Sequence, residues 1–212
     1  MEFDLIYPER REEVFDAECI IAGVFFDEEE LLSFGVDSKS WEFNDAFYNL
    51  NQFEKAFELW SSPQYLSDFY DRFRSFLEAE YWHNISEYTF LKEVIQSLNN
   101  IRKTILDSFE NNTFQELLEP LDLSDEQRRL SESIRVKLKQ GTIIGHHPFR
   151  FYAIEIEEKK CYLITGATIK VHKDMGKADN TRVELNKLNY TLQYIKGKTL
   201  DTKDVFLYHS KF

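Results

Sequence analysis

Apolar residues in the first half of the chain recur every three to four positions, the spacing of amphipathic helices. This period predicts three helices: one from Asn44 to Trp60, a second from Pro63 to Tyr81, and a third from about Ser86 to Phe109. Ser62 followed by Pro63 favours an N-cap and a first helical turn at the start of the second helix. We expect the three helices to pack as an acidic bundle with an aromatic core.

The second half of the chain alternates polar and apolar residues instead. Two antiparallel strands are predicted, Phe149 to Ile156 and Cys161 to Val171, joined by the polar reversal Glu157 to Lys160. A basic loop then leads to a helix from about Thr181 to Lys196. On strict alternation, one face of the second strand becomes cationic at its end, through the residues Tyr162, Ile164, Gly166, Thr168, Lys170 and His172.

Shorter patterns complete the predicted order of elements. Ser124 to Gln127 has the form of a capping box, and the helix after it would carry Leu130, Ile134 and Leu138 on one face and end at Gly141. A hinge around Pro120 would precede that helix. The other short predictions are a strand at Met1–Tyr7, a helical turn within Arg10–Glu18, a buried strand or helix start at Ile20–Phe26, a solvated turn or helix N-terminus at Asp27–Glu30, a strand at Thr142–Ile144, a turn at Gly145–Pro148 and a final strand at Asp204–His209.

Composition narrows the class of protein. The chain has 212 residues with 7 Gly and 4 Pro, which argues against an all-β barrel and against long disordered linkers. Cys19 and Cys161 each lie in an apolar run, so we prefer to interpret them as buried reduced thiols, although a disulfide remains an alternative. The chain has no CxxC motif, so a zinc site is not expected. The start of the chain lacks the features of a signal peptide, and its longest apolar stretch is far short of the ~20 residues of a membrane helix. We therefore expect a cytoplasmic protein that does not bind a membrane.

The net charge differs between the two halves of the chain. Residues 1–123 carry 9 Lys and Arg against 27 Asp and Glu, a net charge of −18, whereas residues 124–212 carry 17 against 11, a net charge of +6. Such asymmetry favours nucleic-acid contact by the basic part or an acidic partner that covers it, although two solvated surfaces that merely differ remain an alternative. We divide the chain into an acidic, aromatic-rich, mostly helical region, 1–119, and a basic α+β domain, 120–212.

The order of strand, apolar strand, basic segment and helix in residues 124–196 resembles the RelE/ParE/HigB toxin superfamily. Phe149–Tyr152 matches the first strand, Cys161–Gly166 the second, Ile169–Lys173 the basic segment and Glu184–Ile195 the helix. The resemblance implies an α+β fold with a small C-terminal antiparallel sheet and flanking helices. It also implies a ribosome-associated, metal-independent mRNA endoribonuclease that needs no cofactor, with RNA or the ribosome and an antitoxin or other protein as partners.

The resemblance also implies a set of site residues. Cations near the scissile phosphate stabilise the charge of the transition state, and a base accepts the proton of the ribose 2′-hydroxyl. The catalytic residues would be Arg150, Lys170, His172 and Lys173, and the nucleic-acid-binding residues would be His146, His147, Lys177 and Arg182; His146 or His147 could replace His172 as the acid/base group, and Tyr208 and His209 are weaker candidates.

Each of these residues also has a purely structural interpretation. Arg150 could form a surface pair with Glu155 or Glu157, the lysines could form a solvated hairpin end, and the adjacent histidines could form a surface turn. The alternative function is a non-catalytic interaction protein, whose acidic helical region binds a basic partner or masks the basic domain. A metal- or cofactor-dependent enzyme has little support, because the chain has no Gly-rich phosphate loop, no HExxH and no GxSxG.

Overall fold

A computed structural model describes residues 1–8, 17, 19–120, 135–139, 149–156 and 161–198. Within these ranges the protein is a mixed α+β fold, with one sheet and helices on both of its faces. The predictions for Arg10–Glu18, Thr142–Ile144, Gly145–Pro148, Glu157–Lys160 and Asp204–His209 concern residues outside the described ranges, apart from Ala17. No helix within the described ranges combines the length and the apolar content that crossing a lipid bilayer requires.

The sheet contains six strands in the described part of the chain, in the order β1-β2-β6-β5-β4-β3. Their bounds are β1 Glu2–Tyr7, β2 Ile20–Phe25, β3 Leu118–Pro120, β4 Arg135–Lys139, β5 Phe149–Ile156 and β6 Cys161–Ile169. Only β2 and β6 pair in parallel, and every other described pair is antiparallel. Strands from both predicted regions of the chain therefore share one sheet.

The helical periodicity predicts the third helix and the last helix well. The single helix predicted from Asn44 to Trp60 is instead interrupted at 49–51, and the second helix ends at Leu77 rather than at Tyr81. The bounds of the helices are α1 Glu28–Ser33, α2 Asp45–Tyr48, α3 Gln52–Ser61, α4 Pro63–Leu77, α5 Glu87–Glu110 and α6 Asp179–Lys198. The predicted cap of the second helix is present, because the Ser62 hydroxyl accepts a hydrogen bond from the Tyr65 amide and Pro63 occupies the first turn. The acidic run after Asp27 forms the first turn of α1, where carboxylates interact favourably with the helix dipole.

Two hydrophobic cores lie on opposite faces of the sheet. Aromatic residues of α3, α4 and α5 pack against Phe149 and Phe151 on one face, with Phe57 and Phe151 5.4 Å apart between ring centroids. Residues of α1 and α6 pack against Tyr152 and Ile154 on the other. The period-2 alternation of β5 places these two sets on opposite sides. Cys19 and Cys161 are both buried and form no disulfide with any described residue, which confirms the preferred interpretation of buried thiols.

The described residues contradict two short predictions on the amino-terminal side of β5. The helix predicted to run from Ser124 to Gly141 is wrong over 135–139, which form β4 antiparallel to β5. The sequence Arg-Val-Lys-Leu-Lys alternates polar and apolar residues strictly, and its hydrogen bonds to β5 stabilise it as a strand. The hinge predicted around Pro120 is also wrong over 118–120, because these residues form β3 and pair with β4.

The predicted alternation along β6 is wrong beyond Ile164. Tyr152 pairs with Gly166 whereas Ala153 pairs with Ile164, so Thr165 is an extra residue in β6. Such a bulge reverses the sides of all later residues. As a result Ile164 and Ile169 belong to the same core, whereas Gly166 approaches the α6 residue Glu184 on the other face.

Candidate functional site

A cavity of about 250 Å³ lies where β6, α3, α4 and α6 meet, and we call it the central cavity. The pairing of β2 with β6 ends at Gly23 and Ile164, whereas β6 continues to Ile169. The end of β6 therefore has no β2 neighbour, and residues from both faces of the sheet can line the cavity there. Past that point α3 and α6 approach each other around the edge of β6. Its lining includes Gln52, Lys55, Trp60, Tyr65, Glu184 and Lys187.

Lys187 is the fully paired cation of the cavity. Its side chain is about 2 % exposed, and its ammonium donates to Glu42 Oε2 at 2.9 Å, to Glu184 Oε1 at 3.0 Å and to Gln52 Oε1 at 3.1 Å. Three donors therefore meet three acceptors. Burial alone would lower the pKa of Lys187, but the Glu184 and Glu42 carboxylates outweigh it and raise this pKa. Lys187 stays charged and joins α6 to α3.

Glu184 is held between this lysine and the backbone of the sheet. Its Oε1 accepts from Lys187, while a Cβ added at Gly166 would lie 1.8 Å from its Oε2. Glycine is therefore required at position 166 for the carboxyl to approach β6 so closely. Burial raises the pKa of Glu184 to about 7, although Lys187 and Lys55 oppose the shift. The carboxyl can therefore give and take a proton near neutral pH.

Lys55 is the second buried cation, and it differs from Lys187 in its partners. It is 2 % exposed and lines the cavity, yet no group in the described part of the chain accepts a hydrogen bond from its ammonium. The pKa of Lys55 is lowered to about 8, chiefly by burial and also by the Lys187 charge, while the Glu42 and Glu184 carboxylates partly compensate. A buried amine of this kind is poised between its charged and neutral forms.

Other buried polar atoms of the lining residues also lack a partner among the described residues: Gln52 Nε2, Asn180 Oδ1 and Glu184 Oε2. Buried polar groups in native proteins are nearly always hydrogen-bonded, so unpaired ones on a cavity wall indicate groups that a ligand or water completes. The wall also carries aromatic side chains, with Trp60 and Tyr65 in edge-to-face contact at 4.9 Å between ring centroids. The cavity therefore combines polar partners with an apolar surface.

Arg150 is the one predicted catalytic residue that lies inside the protein. It pairs with Thr168 across β5 and β6 and is 4 % exposed, and its Nε and Nη1 have no partner within the described part of the chain. The ion pair considered with Glu155 is absent, and the Glu155 carboxylate accepts from the Tyr162 hydroxyl instead; the other partner considered, Glu157, lies outside the described residues. Its guanidinium is not available at the surface.

The remaining predicted residues that the structure describes follow β6. Lys170 and His172 are partly buried, and the His172 ring contacts the edge of Phe76 at 5.8 Å between centroids. Lys173 and Lys177 are exposed, and we call residues 170–177 the cationic turn. Arg182 is exposed on α6 and pairs with Asp179. The cationic turn thus brings Lys170, His172, Lys173 and Lys177 into one segment, whereas Arg150 lies in the sheet; His146 and His147 lie outside the described residues.

None of the predicted site residues that the structure describes lines the central cavity. The sequence interpretation missed Lys55, Glu184 and Lys187, although a signal for them exists. Glu184 and Lys187 share the helical face of the buried Leu188 and Leu192, three to four residues apart. Charged residues within an apolar stripe are expensive unless they are paired, so their presence there indicates a partner elsewhere in the fold.

Comparisons of the chain with protein-family models, with curated proteins and with solved structures gave no match. In the ranges that the structure describes, no three His, Cys, Asp or Glu side chains are arranged to hold a metal ion. The proposals below therefore depend on the geometry of the central cavity and on the sequence resemblance.

Proposed function

We propose that this protein binds a small anionic molecule with an apolar body, such as an aromatic carboxylate, in the central cavity. The observation that carries the proposal is the buried side chain of Lys55, which lines the cavity and whose ammonium has no hydrogen-bond acceptor among the described residues. Removing an ammonium group from water costs several kcal/mol, and the cost is offset only by a counter-charge with good hydrogen bonds.

Within the described residues, no carboxylate forms a hydrogen bond with Lys55. The nearby carboxylates of Glu42 and Glu184 instead accept hydrogen bonds from Lys187, at 2.9 and 3.0 Å. Gln52 lies one helical turn before Lys55, and its Nε2 is a second unpaired donor. An oxyanion in the cavity would accept hydrogen bonds from both groups.

The size and walls of the cavity limit the ligand. A volume of about 250 Å³ is below the ~300–1,000 Å³ of sites for drug-sized molecules, so the ligand is small. Trp60, Tyr65 and Phe69 offer ring surfaces to its apolar part. The carboxylate or phosphate end would face Lys55.

Thermal unfolding with benzoate, phosphate and the neutral analogue benzamide tests this proposal. Benzoate should stabilise the wild type, by about 2.7 kcal/mol at a concentration 100-fold above its Kd, and benzamide should stabilise it far less. The Lys55→Met variant should lose the response to benzoate, and Lys92→Met, at an exposed position of α5, should keep it. Equal responses of the wild type and Lys55→Met, or no response to either anion, would rule the proposal out.

A second candidate function is mRNA cleavage of the RelE/ParE/HigB type, and the order of elements favours it. β5 carries Arg150, β6 follows as the apolar strand, and the cationic turn leads directly into α6. Helices α3, α4 and α5 precede the antiparallel strands β3 to β6. Exposed Lys173 and Lys177 would contact phosphate, and RNA, the ribosome and an antitoxin would be the partners.

Induced expression in a bacterial host tests this second candidate. The wild type should arrest growth and degrade mRNA, and Lys170→Ala or the double variant Lys173→Ala/Lys177→Ala should relieve both effects. Arg150→Ala is a poor test because this residue is buried and its loss affects folding. If the wild type and the variants leave growth and mRNA equally intact, the candidate fails.

A further inference from the structure

We infer that Lys55 is a nucleophile that forms an imine with the carbonyl group of a small 2-oxo acid bound in the central cavity. This inference rests on the proposed function, because it places a carboxylate in the same cavity and adds a reaction at the same lysine. Three features of the cavity support it: the position of the Lys55 amine, the charges around that amine, and the Glu184 carboxyl group, which can carry protons.

The position of Lys55 suits an imine-forming amine. Its side chain is buried on α3, lines a cavity that admits a small molecule, and is not held by a hydrogen bond to any described group. Lys187, by contrast, donates to three acceptors and cannot attack a carbonyl without breaking them. Of the two buried lysines that line the cavity, Lys55 is therefore the one whose amine is available to a ligand, while Lys39 lines the cavity from an exposed position.

The charges around Lys55 keep a useful fraction of it unprotonated. Burial is the main cause of its lowered pKa, of about 8, and the neighbouring Lys187 ammonium adds to it. Desolvation and an adjacent cation are the two ways in which proteins activate an amine as a nucleophile. The protonated imine keeps the positive charge, so it still pairs with the carboxylate of the 2-oxo acid.

Glu184 lines the same cavity and can move the protons of the reaction. The Lys55 nitrogen attacks the carbonyl carbon, a C–N bond forms, and the carbonyl oxygen takes a proton as the nitrogen loses one. The nitrogen lone pair then forms the C=N bond as the C–O bond breaks. The departing hydroxyl takes a second proton, the one that the Lys55 ammonium gave up to Glu184 before the attack, so that water leaves and the protonated imine remains. Glu184, whose pKa burial raises to about 7, can accept and return these protons near neutral pH.

Reductive trapping with pyruvate and sodium cyanoborohydride tests the inference. Hydride addition to the imine leaves a stable secondary amine, which peptide mass mapping locates. We expect one modification per chain, at Lys55, with the exposed Lys92 and Lys103 much less modified, and excess benzoate should suppress it. Glu184→Gln, which keeps the shape of the side chain, should slow trapping by about 100-fold or more.

Lys55→Arg separates this inference from the proposed function, because it keeps a cation but cannot form an imine. It should still be stabilised by pyruvate in thermal unfolding, and it should not be trapped. If the wild type binds pyruvate or benzoate but trapping is absent at Lys55, or is no faster there than at exposed lysines, the imine is overturned and anion binding stands. If no anion binds the wild type and Lys55 is not trapped, both proposals fail.

Discussion

The central cavity and the cationic turn each contain lysines, but the two regions place them in opposite environments. Lys173 and Lys177 of the turn are exposed, so water solvates their charges and exposed charges of this kind contribute little to stability. Lys55 and Lys187 of the cavity are 2 % and 1 % exposed, so each must find a partner or destabilise the fold. The buried lysines are therefore the more informative guide to function.

The cavity contains a second contrast, between its two buried lysines. Lys187 has three hydrogen bonds that join α3, α6 and the segment around Glu42, so its role is structural. Lys55 has none among the described residues, so it destabilises the empty protein and is available to a ligand. Such a cost to stability at a binding site is expected where function requires an unpaired group.

The largest effect should follow from Lys187→Met. The substitution leaves Glu42, Glu184 and Gln52 without their shared donor, and breaking a buried pair in this way costs about 3–5 kcal/mol. Urea denaturation monitored by tryptophan fluorescence would measure the free energy of unfolding. The matched variant in the cationic turn, Lys177→Met, should change the free energy of unfolding by less than about 0.5 kcal/mol. Similar losses of stability for both variants would remove the contrast between the two regions.

The next effect should follow from Gly166→Ala. The new methyl group would lie 1.8 Å from Glu184 Oε2, so the Glu184 side chain would have to move. Overpacking of this kind destabilises a protein by ~1–3 kcal/mol, and we expect a loss near the upper end of that range. Gly197→Ala is the control, since a Cβ there meets nothing within 4 Å, and in a helix it should be neutral or mildly stabilising.

A double-variant cycle makes the Gly166 prediction specific to the Glu184 carboxyl. The cost of Gly166→Ala should shrink when Glu184→Ala is already present, because the clashing oxygen is gone. Strict additivity of the two free-energy changes would mean that the carboxyl does not approach β6 as the structure has it.

Sequence patterns predicted most of the elements because burial of an apolar face dominates their formation. The period of α3, α4 and α5 and the alternation of β5 follow directly from which side chains meet a core. β4 was missed because five alternating residues next to a capping-box sequence fit a helix or a strand, and only pairing with β5 decides between them. The bulge at Thr165 likewise depends on register with a neighbouring strand, which no local pattern of β6 contains.

The site itself could not be predicted by the same reasoning. Lys187 and Gln52 meet although they are 135 positions apart in the chain. Exposed clusters of cations such as the cationic turn are visible in a sequence, whereas the partner of a single buried charge is not. One departure from the expected pattern is visible in the sequence: Glu184 and Lys187 are charged residues on the apolar side of a predicted helix.

A smaller effect, of opposite sign, is expected for Lys55→Met. Removal of a buried, unpaired ammonium should stabilise the protein by about 2 kcal/mol at pH 7, since one pKa unit corresponds to ~1.4 kcal/mol and part of the gain is lost through repacking. Because the pKa of Lys55 is lowered to about 8 from 10.5, the unfolded chain binds more protons than the folded one between these values. The penalty is complete below pH 8 and is relieved as the pH rises toward 10.5.

Urea denaturation of the wild type and Lys55→Met at several pH values would check this sign. The difference between the two proteins should be largest at or below pH 8 and should vanish near pH 10.5. A destabilised Lys55→Met at pH 7 would mean that the ammonium has a partner in the empty protein, and the main support for anion binding would be lost.

The smallest effect on stability should come from the cationic turn, where Lys173→Ala/Lys177→Ala should change the free energy of unfolding by less than about 0.5 kcal/mol.

The same variant, Lys173→Ala/Lys177→Ala, separates the two candidate functions. If RNA binds this turn, each lost phosphate contact should lower the salt dependence of RNA affinity, with a slope change of about 0.7 per contact on a log–log scale for a single strand. Benzoate binding in the central cavity should be unchanged, because neither lysine lines it. A variant that loses benzoate binding would instead show that the turn and the cavity act as one site, and the contrast between them would no longer hold.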